Sequence, residues 1–241
     1  MVEHFWLLTA LSMLTSLLTA TVGAGGGAVL LAVMALLLPV QAVIPIHGLV
    51  QLASNSGRTL LSWRHIDWPT IALFAPFSLL GAGLGSMLLV NLPSFWLQIS
   101  IALFILYLCW GPALPRAVIS PPAMALAALA TGFISLFVGA SGPLVAAFIK
   151  ARFTQRFTTV ATFSMAMVTQ HAPKALIFTL AGFAFADWWL LIVSMAVAGI
   201  IGTWLGLQLL GRLSDKHFQR WFNLILTLLA LRLLWQALFA A

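Results

Sequence analysis

His47, Gln51, Ser54, Asn55 and Arg58 lie in one otherwise apolar stretch, and Ser164, Thr169, Gln170, His171 and Lys174 lie in another. Spacings of three and four put Gln51, Asn55 and Arg58 on one helical face, with His47 continuing it one turn earlier. Gln170 or His171 with Lys174 makes the equivalent face in the second stretch. These are hydrogen-bond donors, imidazoles and one cation per stretch, and an intramembrane cation is costly and by default functional. The bland alternative is snorkelling, in which Arg58 and Lys174 carry their charged ends to a nearby interface. The four acidic residues, Glu3, Asp67, Asp187 and Asp215, all fall at a terminus or in predicted loops. Proton relays and cation pumps place Asp or Glu within the membrane. Their absence argues against a cation carrier, a two-carboxylate hydrolase and a carboxylate-bound metal. No His-Glu-x-x-His spacing and no Ser/His/Asp set occurs in the apolar stretches, so the sequence predicts no catalytic residues, no metal site, no cofactor and no enzyme.

Each polar stretch follows a glycine cluster: Gly23-Ala24-Gly25-Gly26-Gly27 in the first half and Gly139-Ala140-Ser141-Gly142-Pro143 in the second. Glycine costs a helix interior about 1 kcal/mol and proline about 3. Such runs predict helix breaks, which at membrane depth are tolerated only where the backbone is buried in protein or lines a cavity. Close helix packing alone is the alternative. A broken helix exposes N–H groups and the positive end of its dipole, and successive N–H groups in a glycine-rich turn form an anion nest. Gly25, Gly26, Gly27 and Gly142 would supply backbone donors and Ser141 a hydroxyl, while Pro143 suits a first helical position. With one cation from each half and no competing acid, the combination suits a small oxyanion. The two clusters are expected to face each other across one basic cavity.

The elements that must hold these groups are membrane helices. The 241 residues are 63% hydrophobic and 6% charged, against about 25% charged in soluble domains. A crossing needs about 20 apolar residues, and the candidate spans are 5–38, 42–62, 69–90, 94–110, 122–149, 157–181, 187–210 and 217–238. The first and fifth are too long for one straight crossing and contain the glycine clusters. They read as broken spans with an extra arm or as re-entrant hairpins. The net charge of +7 comes from cations too few and scattered for nucleic acid, and it reads instead as orientation. Lys150, Arg152 and Arg156 fill one loop, and Arg212, Lys216 and Arg220 fill or flank another, marking the cytoplasmic side. With eight crossings both termini lie outside, and Arg64 and Arg116 fall on the outer side. Cys109 is the single cysteine, so no internal disulfide forms. The N-terminus lacks a signal-peptide pattern and reads as a retained first helix.

The halves repeat. An offset of 116 residues pairs the glycine clusters, Asn55 with His171, Arg58 with Lys174 and Leu60 with Leu176. An offset of 121 then pairs Gly81 with Gly202, Gly85 with Gly206, Leu89 with Leu210, Leu92 with Leu213 and Gln98 with Gln219. Four spans per half make the halves parallel, and a full extra crossing at each break makes them inverted. The loop charges favour the even count. Gly81-x-x-x-Gly85 and Gly202-x-x-x-Gly206 read as close helix packing within the chain, with a dimer seam as the alternative. Asp67-Trp68 and Asp187-Trp188 read as helix starts, with Asp capping and Trp anchoring.

On these features the sequence resembles the TauE/SafE family of membrane transporters, often called sulfite exporters. The residues that carry the resemblance are the early Gly23–Gly27 cluster, its echo Gly139–Pro143, the following polar helix with Asn55, and the overall length. The resemblance implies a carrier of about eight spans, made by duplication, that moves sulfite, sulfonates or related sulfur-containing anions. Pro143 departs from the family's usual small residues at that point, so the two halves are not assigned equal roles.

The resulting expectation is an all-α integral membrane protein of about eight transmembrane helices in two duplicated halves, 1–115 and 116–241. Its function is that of a secondary carrier for a small sulfur oxyanion or organosulfonate, working by alternating access in the cell inner (plasma) membrane. The substrate site would comprise Gly25, Gly26, Gly27, Gln51, Asn55, Arg58, Ser141, Gly142, Gln170, His171 and Lys174. If protons are coupled, His47 and His171 are the carriers. The partners are the anionic substrate and the lipid bilayer; self-association is left open. An anion channel using the same donors, or a non-transporting membrane subunit, is the alternative.

Overall fold

The glycine clusters do more than interrupt helices; they reverse the chain. In the computed structural model, which describes residues 3–23, 25–89, 93–111, 120–210 and 215–239 (89 and 215–222 as backbone only), every regular element is helical. The first half holds α1 (Phe5–Val22), α2 (Gly26–Leu37), α3 (Val40–Ser62), α4 (Trp68–Leu89) and α5 (Ser94–Trp110). The second holds α6 (Pro121–Val138), α7 (Gly142–Arg152), α8 (Arg156–Leu180), α9 (Trp189–Gln208) and α10 (Asp215–Phe239). The two over-long segments are thus each two helices.

Gly23 (φ 94°) and Gly25 (φ 107°) adopt backbone conformations that side-chain-bearing residues avoid. This lets the chain turn so sharply that Gly26 lies against Thr15 and Thr19 of α1. The 12-residue α2 therefore runs back along α1, covering about 18 Å at 1.5 Å per residue. Gly139 (φ 73°) makes the matching turn into the 11-residue α7, which starts at Gly142, so that Pro143 takes the second helical position rather than the first.

The reversals add one traverse to each half, giving five helices rather than four, and this changes the predicted topology. α3 and α8 run antiparallel: the His47 and His171 rings are 6.0 Å apart, while Thr59 bonds Ser164 nearer the other end. α5 and α10 are antiparallel too, with the Trp110 indole donating to Thr227 and Phe95 sharing a cavity with Gln236. The helices matched by the sequence offset therefore run in opposite directions. The same extra traverse moves Arg64. Its loop, through His65 edge-on to Phe157, lies at the same end as Lys150 and Arg156, which share a cavity with Gly23 and Leu210. Arg116 and Arg212 fall outside the described residues.

Among the described residues, four stretches are long and apolar enough to cross a membrane by length and composition: Phe5–Val22, Trp68–Leu88, Pro121–Val138 and Phe185–Gln208. They pair as α1 on α9 and α4 on α6. Between them lie α3 and α8, the two helices carrying the polar stretches, packed on each other. Helices enclosed by others need no apolar surface all round, which is why α3 and α8 can afford polar groups.

Glycines set the closeness of the outer pairs. A Cβ on Gly202 would overlap the Met13 carbonyl oxygen, and Gly206 sits over Leu17; Gly81 sits over Leu129, and Gly85 over Phe133. All four small-residue positions are thus used within the chain. Gly202→Ala is expected to lower stability by about 1–3 kcal/mol through overpacking, measured as the Tm of purified protein; an unchanged Tm would mean that the approach of α1 to α9 is not needed. Asp67 caps α4, accepting the Thr70 backbone N–H at 3.0 Å. Asp187 does not act likewise. It lies in the 3-10 turn Phe185–Trp188, and α9 starts from Trp188 without a side-chain cap.

Candidate anion-binding site

α3 and α8 present equivalent stripes to one buried cavity. His47, Gln51 and Asn55 repeat every four residues on α3, and Phe163, Met167 and His171 do so on α8. The first glycine turn closes the cavity with Gly25, Gly27 and Ala28, and the second with Ala140, Gly142 and Pro143; Thr19 completes the lining. Its volume is about 30 Å³, room for two or three water-sized groups at roughly 10–15 Å³ each. The N-terminal turns of α2 and α7 both border it, so the positive ends of two helix dipoles meet there. No acidic residue is among its lining.

Of the residues chosen from sequence, Gly25, Gly27, His47, Gln51, Asn55, Gly142 and His171 come together around this space. The others stand behind it. Gly26 packs on α1. Ser141 spends its hydroxyl on Gln170 Oε1, so it is not the free donor that the sequence suggested. Gln170 also donates to Thr131 at 2.9 Å, which ties the second turn to α6 and α8. Lys174 donates to the Gly139 carbonyl at 3.2 Å, and its aliphatic stem packs on Gly48, next to His47. Arg58 donates to Asn55 Oδ1 at 3.2 Å and reaches Thr203 at 3.5 Å.

The two cations do not snorkel: Arg58 is 0% and Lys174 1% exposed. Neither has a carboxylate partner among the described residues; neutral oxygens hold both. His47 uses Nε2 to contact the Gly27 carbonyl at 2.9 Å. A carbonyl only accepts, so Nε2 carries the hydrogen, and His47 Nδ1 is a buried acceptor without a partner, while Nδ1 of His171 is buried and unpartnered with no hydrogen bond to fix its tautomer.

Sequence reasoning missed Phe163 and Met167. The signal was present: the 116-residue offset carries His47 onto Phe163 and Gln51 onto Met167. The cavity is therefore polar on the α3 side and largely apolar on the α8 side.

A family model described as sulfite exporter TauE/SafE matches residues 8–233. No curated protein and no solved structure matches the chain. With helices apolar enough to cross a membrane and a family match over nearly its whole length, the chain is a multi-pass membrane protein that belongs to the sulfite exporter TauE/SafE family of transporters.

Proposed function

We propose that this protein is a secondary carrier that moves a small sulfur oxyanion or organosulfonate by alternating access, binding it between the two glycine turns. The observation that carries this reading is the buried cavity itself. Two helix N-termini, the Gln51 and Asn55 amides and two histidines converge on it, Lys174 and Arg58 stand directly behind, and no acid is in its lining. Half-helices whose N-termini meet at one site are the arrangement by which transporters hold anionic groups. The family match supplies sulfur as the central atom.

The halves, 1–115 and 116–241, are read as inverted repeats. Exchanging them maps α1 on α9 onto α6 on α4, and α3 on α8 onto itself. It also maps contacts: Met13 under Gly202 becomes Leu129 under Gly81, and Leu17 under Gly206 becomes Phe133 under Gly85. Such repeats let one bundle rock against the other about a central site. Eight membrane segments, two of them re-entrant hairpins built from α1–α2 and α6–α7, satisfy this arrangement. The end carrying Arg64, Lys150 and Arg156 is then cytoplasmic, with both termini outside the plasma membrane. Efflux of an anion needs no coupled cation there, since an inside-negative potential supplies about 2.3 kcal/mol per charge per 100 mV.

Binding is tested by thermal shift of the detergent-purified protein against sulfite, thiosulfate, alkyl sulfonates, small carboxylates and alkali cations. A ligand specific to the folded state at 100 times its Kd adds about 2.7 kcal/mol. Stabilisation by a sulfur anion is expected. Stabilisation by a cation alone, with none by any sulfur anion, would overturn the assignment.

A further inference from the structure

We infer that Arg58 sets the polarity of the cavity without reaching it: it is a positioning residue that holds two amides in series, so that the N–H end of Gln51 faces the bound anion. The inference rests on the cavity being the anion site. A guanidinium only donates, so the Asn55 atom 3.2 Å from Arg58 Nη1 is the oxygen, Oδ1. The amide nitrogen of Asn55 is thereby turned toward Gln51. There it donates to the Gln51 backbone carbonyl at 2.8 Å, which only accepts, and to the side-chain Oε1 at 3.3 Å. With Oε1 engaged, Gln51 Nε2 is left pointing at Gly27, 2.8 Å from where a Cβ on that glycine would stand. No protein group among the described residues accepts from it.

Each link permits one direction only. Reversing the Asn55 amide would set N–H against N–H at Arg58 and oxygen against oxygen at Gln51. A free glutamine offers an anion and a cation equally good ends; this one offers donors. Arg58 lies wholly buried with Nε unpartnered, and a buried cation without a counter-charge is poorly explained by stability, since apolar replacements of buried charges are often neutral or better. Its use is directional. The second half has no such series, because the 116-residue offset replaces Asn55 with His171 and Gln51 with Met167. An amide series of this kind therefore acts from the α3 side alone, beside the helix N-termini that both halves supply.

The test is a double-mutant cycle on sulfite affinity with a ligand-free companion measurement. Arg58→Met and Gln51→Leu are each expected to weaken sulfite binding about tenfold, which is about 1.4 kcal/mol, and the double variant should be no weaker than the worse single one. Coupled groups behave so, whereas independent ones add; an additive loss of about a hundredfold would overturn the series. Arg58→Lys, which keeps a donor for Asn55, should restore binding to within about threefold of wild type. Without ligand, selectively labelled Gln51 and Asn55 side-chain amides should each give one slowly exchanging NMR pair in wild type. In Arg58→Met they should broaden or double, while Tm does not fall. Amide signals unchanged in that variant would contradict the inference whether or not sulfite binds. If wild type binds no sulfite but its amides still depend on Arg58, the series stands and the substrate assignment is what fails.

Discussion

Replacing Lys174 with methionine is expected to abolish sulfite flux in reconstituted vesicles, by at least about a hundredfold, or about 2.7 kcal/mol, while leaving the protein folded. Lys174 holds the second glycine turn through the Gly139 carbonyl and packs on Gly48 beside the cavity histidine His47. Losing it removes a cation from beside the anion and frees the turn that aims α7. Two opposing effects keep stability level. The unpaired Gly139 carbonyl costs about 1–3 kcal/mol, and relieving a buried, uncompensated charge returns about 1–4 kcal/mol. A Tm within a few degrees of wild type together with lost flux is the expected pair of results. Wild-type rates and affinity in the variant would remove Lys174 from the site.

The second large effect separates two adjacent glycines. Gly27→Ala is expected to fold, because alanine favours the first turn of α2 by about 1 kcal/mol over glycine. Its methyl group, however, would stand 2.8 Å from Gln51 Nε2 and take up much of a cavity of about 30 Å³. Sulfite affinity should fall more than about tenfold with Tm unchanged or raised. Gly26→Ala should do the reverse of what helix propensity suggests. Its Cβ would overlap the backbone oxygen of Thr15, which cannot rotate away, so the reversal at Gly23–Gly25 cannot close and Tm should drop. Equal behaviour of the two variants would show that the glycines matter only as helix breakers.

These residues show what could be read from sequence. The glycine clusters announce breaks because so many poor helix formers in a row have no other use in a membrane segment. The polar faces of α3 and α8 follow from helical spacing, and the 116-residue offset alone pairs Arg58 with Lys174. The direction of the chain after each break was not legible. It depends on positive φ at Gly23, Gly25 and Gly139 and on Gly26 fitting against Thr15, contacts between segments that composition does not encode. That one ambiguity decided both the antiparallel pairing of α3 with α8 and the end at which Arg64 lies.

The chemistry of the site shows the same boundary. Donor types and the absence of an acid in the predicted spans point from sequence to an anion, the sign that the proposed carrier requires. Which donors remain free does not follow from type alone. Ser141 looks available until Gln170 claims its hydroxyl, and Arg58 looks like a ligand until Asn55 stands between it and the cavity. Met167 and Phe163 look like core and yet form the cavity's apolar wall.

The most direct test of the account is sulfite counterflow in vesicles containing the purified protein. Uptake of labelled sulfite should be saturable, should accelerate when unlabelled sulfite is loaded inside, and should vanish in Lys174→Met. Flux that neither saturates nor responds to internal sulfite, accompanied by large unitary currents, would contradict a carrier and make the same donors the lining of a channel.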